Sequence, residues 1–397
     1  MPVRIQPAYL SFQELSPACL RILSNETEIN LDNPQEFMVP SPLPEAPISS
    51  PAPPPSEGIF FGRFGLRSGW GIAIFVVLFL VFSSVISIAT LAATGRLQKA
   101  IAQRKAQTTS QKTSAPAKPA TQTLTLDDTL IGEGLGLVGV GLATWLLSLI
   151  ERRRLAVYGI GSARRLDFFA GAFWGLATLS LLVGVLRAGH FLVFDARLLH
   201  GSDVPLYGLL WLLAFLLVGL LEEYLTRGYL QYTLTRGLFG LAEKISSTHA
   251  RAVAFWIAAA IMSVLFGAGH LGNKGETTWG ICAVFLAGIT FCYALWHTGS
   301  LWWAIGFHMA WDWAQSFLYG VPDSGGLSAG RLFQTHPTGT VLLSGGPDGP
   351  EGSLFVIPTL LLVVLIIRFT TRAGTQPPLE PIPAPLNLPP ETHTLIP

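Results

Sequence analysis

Apolar residues in this chain neither alternate with polar ones nor trace a single helical stripe; they gather in unbroken blocks. The blocks run near 70–93, 131–150, 168–186, 206–221, 252–269, 279–296, 301–318 and 354–367. About 20 apolar residues at helical rise cross the roughly 30 Å of bilayer hydrocarbon. The expected fold is therefore all-α, a polytopic transmembrane helix bundle of about eight helices. Between the blocks the chain changes character. Residues 1–68 read as a flexible Pro-rich extension, 69–95 as the first membrane helix, and 96–130, rich in Lys, Gln, Thr and Ala, as a solvated linker. Residues 131–372 make the main bundle and 373–397 a second flexible Pro-rich tail, while 320–352, rich in Gly, Pro, Ser and Asp, read as irregular exposed chain. Glycines 132, 134, 136, 139 and 141 suit close helix packing.

Composition agrees with the pattern. Half of the 397 residues are hydrophobic and 12% are charged, against about a quarter charged in soluble domains, and the mean hydropathy is +0.49. A formal net charge of +1 gives no footing for nucleic acid. Cys19, Cys282 and Cys292 share no C-x-x-C spacing, so neither a disulfide framework nor a thiolate metal site is indicated. The start of the chain lacks the basic-then-apolar pattern of a cleavable signal. Arg152, Arg153, Arg154, Arg164 and Arg165 follow the second block, and Arg227, Arg236, Lys244 and Arg251 follow the fourth, which assigns those connections to the cytoplasm. An even number of spans then places both termini there. The basic linker after the first block runs against this rule.

Ionisable groups inside apolar blocks cost a few kcal/mol each and need a reason. Glu222-Glu223 close the fourth block, with Arg227 one turn beyond Glu223 on the same helix face. Such a carboxylate can take a proton from water; the plainer reading is a helix end at the headgroups. Phe266-Gly267-Ala268-Gly269-His270 closes the fifth block, where a histidine is either an interfacial residue or a site imidazole. His308 and Asp312 lie four apart inside the seventh block, on one helix face. Asp312 could orient His308, both could serve a metal, or the two could form an internal pair.

In order, these segments read Glu-Glu-x-x-x-Arg, Phe-x-x-x-His and His-x-x-x-Asp, and over about 206–318 the chain resembles the CPBP family, the CAAX-protease and bacteriocin-processing intramembrane proteases, lysostaphin resistance A-like proteins among them. Arg227-Gly228-Tyr229-Leu230 and Thr298-Gly299-Ser300-Leu301-Trp302 extend the likeness. The resemblance implies an intramembrane endopeptidase acting on membrane-associated substrates, of prenylated or bacteriocin type. Its catalytic residues would be Glu222, His270, His308 and Asp312, with Glu223, Arg227 and Phe266 in support. Glu222 and His270 would activate water, and His308 with Asp312 would steady the oxyanion. A metalloprotease variant would instead hold a divalent ion such as zinc on His270, His308 and Glu222, although no His-Glu-x-x-His segment occurs. The implied partners are membrane lipid and a peptide or protein substrate, with no nucleic acid. The implied location is multi-pass in a bacterial cytoplasmic membrane. A transporter or channel with an intramembrane polar pathway, or a non-catalytic scaffold, are the competing readings.

One requirement follows from geometry. In a plain up-and-down bundle Glu222 and His270 would sit at opposite membrane faces. Apolar residues resume after Arg227 at Tyr229, Leu230, Tyr232, Leu234, Leu238, Phe239 and Leu241, so the fourth helix is expected to run past the motif and carry Glu222 inward.

Overall fold

The computed structural model describes residues 58–95, 98, 102 and 122–380. The expected extension up to residue 57, most of the linker and the end of the tail lie outside the described residues. Helix α1 covers Ser68–Ala93, α2 Leu126–Ile150 and α3 Asp167–Ala188. Helix α4 is continuous over Asp203–Ile245, α5 covers Ala250–Gly269 and α6 Thr278–Thr298. Among the described residues these are the 6 helices long and apolar enough to cross a membrane. Two shorter ones complete the bundle: α7, Trp302–Trp313 running on as a π-helical turn Ala314–Leu318, and α8, Val356–Thr370. Each expected block is a helix, and the protein is an integral membrane helix bundle.

Local chemistry sets the helix ends. The Thr125 hydroxyl accepts from Asp128 N at 3.3 Å, and Asp127 and Asp128 occupy the first turn of α2, where the helix dipole favours negative charge. Thr277 caps α6 by accepting from Gly280 N at 3.1 Å, and Gly299, at φ 68°, closes its other end.

Exposure follows the lipid. Only Gly71 and Phe75 of α1 are buried, while Val76, Val77, Leu80, Val81, Val85 and Ile88 face outward, as apolar side chains in contact with acyl chains should. The tightest seam joins α3 to α7. A Cβ on Gly171 would land on Trp303 O, and one on Gly306 on Phe168 O. These backbones touch because neither position carries a side chain. The glycine run of α2 divides its work: Gly136 lies against Leu221 of α4, and Gly139 against Ser83 of α1.

The segment 320–352, expected as irregular exposed chain, is ordered, and most of it is buried or half-buried. Its strand Gly326–Ser328 pairs in parallel with Gln122–Leu124, and Phe333–Pro337 pairs antiparallel with Leu192–Arg197. Glycines at positive φ at 320, 325, 330, 339, 345, 346 and 349 make its sharp turns. Trp211 of α4 donates to Ala329 O at 2.9 Å, and Asp348 accepts from Thr277 N at 2.7 Å. Polar backbone is thus paired within the segment and to the helix tops, which sequence composition could not show.

At the other end of the bundle Glu151 is buried with Arg153 at 3.1 Å, Arg236 at 2.7 Å and the Tyr229 hydroxyl at 2.8 Å. Two cations against one carboxylate leave positive charge to satisfy. Backbone carbonyls do it: Arg153 donates to Phe64 O at 2.7 Å and to Leu379 O at 2.8 Å. The front of the expected tail is held as a strap, with Tyr232 donating to Pro378 O at 2.6 Å, Gln376 to Trp296 O at 2.6 Å and Arg251 to Pro377 O. Both ends of the described chain therefore meet at the same end of the bundle.

Candidate functional site

The fourth helix does run past its motif, but not as regular α-helix. It widens into a π-helix at Tyr224–Leu230, directly after Glu222 and Glu223, and π-segments of this kind tend to occur at functional sites. Helix α7 does the same at Ala314–Leu318, just beyond Asp312.

These helices meet at His308. Its Nδ1 lies 3.0 Å from Glu223 Oε1, and Arg227 Nη1 holds that same oxygen at 2.8 Å. Its Nε2 faces Glu222 Oε2 at 3.7 Å and Asp312 Oδ2 at 3.4 Å. Burial separates the carboxylates: Glu223 is fully enclosed, Asp312 is 10% exposed at its side chain and Glu222 is 31% exposed. Glu222 is the carboxylate open to water. The pair expected between Glu223 and Arg227 is present, and Glu223, not Asp312, takes the Nδ1 position on His308. Arg227 is further held by the Phe266 ring, whose centroid lies 4.1 Å from the guanidinium carbon.

His270 stands at the end of α5, its Nδ1 donating to Phe266 O at 2.9 Å, an acceptor that fixes the hydrogen on Nδ1 and leaves Nε2 as the free lone pair. Glu222, His270, His308 and Asp312 all line one cavity of about 260 Å³, with Phe266 in its wall. Glu223 and Arg227 sit behind that wall.

Three further acids line the same cavity. Glu133 comes from α2; Asp323 and Glu351 come from the ordered 320–352 segment. Burial, the larger effect, pushes Asp323 up to about 6 despite the Ser316 hydroxyl at 2.9 Å. Burial, with Asp323 and Glu276 adding repulsion, also raises Glu351, whose Oε1 accepts from Ser324 N at 2.6 Å. Sequence reading passed over all three. Glu133 carried the available signal, a carboxylate inside an apolar block; Asp323 and Glu351 carried none, because an acid is unremarkable in a segment rich in Gly, Pro, Ser and Asp. The other wall is apolar, with Phe215, Val284, Phe291, Phe307, Trp311 and Leu360. Helices α6 and α8, which carry none of the expected site residues, thereby shape the cavity. His297 and His336 lie elsewhere, beside Thr371 O and Asp195 respectively.

The metal variant fares differently. Among the described residues no three His, Cys, Asp or Glu side chains converge as a metal-binding group. His308 directs Nδ1 to Glu223 and His270 directs Nδ1 to a carbonyl, which leaves each an Nε2, but with Glu222 they do not form such a group. The residues as arranged do not fit a bound ion.

Among known proteins, the family described as type II CAAX prenyl endopeptidase Rce1-like matches residues 205–314. No curated protein and no solved structure matches the chain. The matched stretch begins in α4, ends in α7 and contains Glu222, Glu223, Arg227, His270, His308 and Asp312. Over this stretch the chain is similar to the Rce1-like type II CAAX prenyl endopeptidases, a family of membrane proteases.

Proposed function

We propose that this protein is an intramembrane endopeptidase in which Glu222 activates water against a peptide bond held in the cavity. The observation that carries the reading is the position of Glu222, partly open to the cavity and 3.7 Å from His308 Nε2. Its carboxylate takes a proton as the water oxygen attacks the carbonyl carbon. His270, with Nδ1 committed to Phe266 O, offers Nε2 as a second acceptor for that water. Protonated on both nitrogens, His308 donates from Nδ1 to Glu223 and presents an Nε2–H toward the developing oxyanion. Asp312 lies 3.4 Å from that nitrogen on the far side from Glu223, and the buried Glu223–Arg227 pair fixes the ring plane.

The apolar wall supports a substrate with a large apolar group beside its scissile bond, such as a lipidated or membrane-embedded segment. The ends of the described residues, Phe64 and Leu379, both at Arg153, support a topology with both termini on the cytoplasmic face of a bacterial membrane. The domain boundaries read from the sequence, with the catalytic core at about 206–318, are part of the same proposal.

The test is peptide cleavage by the purified full chain in proteoliposomes, using prenylated and unmodified peptides. Glu222→Gln and His308→Ala should each abolish turnover, and His336→Ala, on the exposed ribbon, should leave it unchanged. Full activity in Glu222→Gln rejects the reading.

A further inference from the structure

Glu133 stands outside the matched family domain, yet its carboxyl lines the catalytic cavity. It sits between Gly132 and Gly134 in an otherwise apolar stretch of α2, where a carboxyl group has no packing value and a cost of a few kcal/mol. The placement is enforced: Gly136 lies against Leu221, immediately before Glu222, so α2 and α4 approach closely at this level. Glu133, Glu222 and His308 all line this one cavity. No group among the described residues hydrogen-bonds it, and its half-buried side chain opens to the cavity rather than to an ion-pair partner.

The proposed mechanism leaves a gap that this residue fills. Glu222 gains a proton when water attacks, but the departing amide nitrogen needs one of its own before the C–N bond can break. We infer that Glu133 is the general acid of this protease, giving its proton to the leaving amine while Glu222 receives the proton of the attacking water. This rests on the proposed peptidase reading of Glu222.

Two carboxyl groups facing one cavity of low dielectric cannot both carry full charge, so the resting pair holds one proton. The proposal places it on Glu133, because Glu222 has an imidazole nitrogen, His308 Nε2, 3.7 Å away to pair with a carboxylate. In the first step the water oxygen bonds to the carbonyl carbon and its proton passes to Glu222. In the second the C–N bond breaks, the nitrogen takes the Glu133 proton, and a carboxylic acid and an amine are released. Glu222 is then protonated and Glu133 ionised; transfer of that proton back across the cavity restores the start. Other titratable groups facing this space are His270 from α5, Asp312 from α7, and Asp323 and Glu351 from the ordered segment.

A general acid matters only as far as its leaving group needs a proton. The test compares a peptide amide with a p-nitrophenyl ester of the same acyl group, whose phenolate leaves unaided. General acid–base groups contribute about 10²–10⁴-fold, so Glu133→Gln should lose at least about a hundredfold in kcat on the amide and less than about tenfold on the ester. Glu133→Asp, which keeps a carboxyl one methylene shorter, should lose less on the amide than Glu133→Gln, and it serves if the glutamine variant does not fold. Glu222→Gln should fail on both substrates. Unchanged amide cleavage in Glu133→Gln, or equal losses on amide and ester, overturns the assignment. An active Glu222→Gln would instead overturn the underlying peptidase reading.

Discussion

Replacing Arg227 by Met isolates what the buried ion pair does. The guanidinium is 1% exposed and its partner carboxylate 0% exposed, linked by one bond of 2.8 Å. Glu223 Oε2 and Arg227 Nη2 already lack partners, so when Arg227 is removed only His308, 3.0 Å from Glu223 Oε1, is left to offset the buried carboxylate. Losing one member of such a pair costs about 3–5 kcal/mol, at least a hundredfold in the folding equilibrium at about 1.4 kcal/mol per tenfold. Part of the loss is the stacking of Arg227 on Phe266 at 4.1 Å. Equilibrium unfolding in mixed micelles measures it. The double variant Glu223→Gln, Arg227→Met removes both charges and should recover most of the lost stability, since no unpaired ion remains. Peptidase activity should not recover, because His308 Nδ1 no longer faces a carboxylate. Wild-type stability in the single variant, or a double variant no more stable than the single, would refute the reasoning.

Three more outcomes follow from the same geometry. Burial, then repulsion from Asp348 and Asp323, pushes Glu276 from 4.5 up to about 8; the folded chain therefore binds the extra proton between those values and loses stability as pH rises through them. Proteolytic nicking of 320–352 should increase from pH 5 to 8, and Glu276→Gln should flatten that rise. Ending the chain after residue 373 removes the carbonyls that Arg153, Tyr232 and Arg251 use, and should lower thermal stability measurably relative to a chain ended after 380. Gly306→Leu must part α3 from α7, and should reduce both folded yield and activity, since the same helix carries His308 and Asp312.

Much of the bundle is legible in the residues alone. Eight apolar blocks predict eight helices because a membrane-spanning backbone must satisfy its hydrogen bonds within the segment, leaving helix as the open choice. The carboxylate and histidine positions in α4, α5 and α7 were legible for a related reason: polar groups in an apolar block are conspicuous by their cost. Glu133 met that criterion too, but its flanking glycines pointed to packing.

What tertiary structure alone decided begins with partners. The sequence paired His308 with Asp312 because they share a helix face; contact across helices gave Glu223 the Nδ1 position instead, 85 residues away in the chain. The π-helical turns, the buried order of 320–352 and the strap at 374–380 likewise depend on long-range contacts whose local sequence is merely polar or proline-rich. The sequence by itself determined that the chain crosses a membrane many times and where its costly charges lie, since transfer to lipid is a property of each segment alone. Which of those charges face one another, and around what space, is a property of helices packed together, and only the folded bundle decided it.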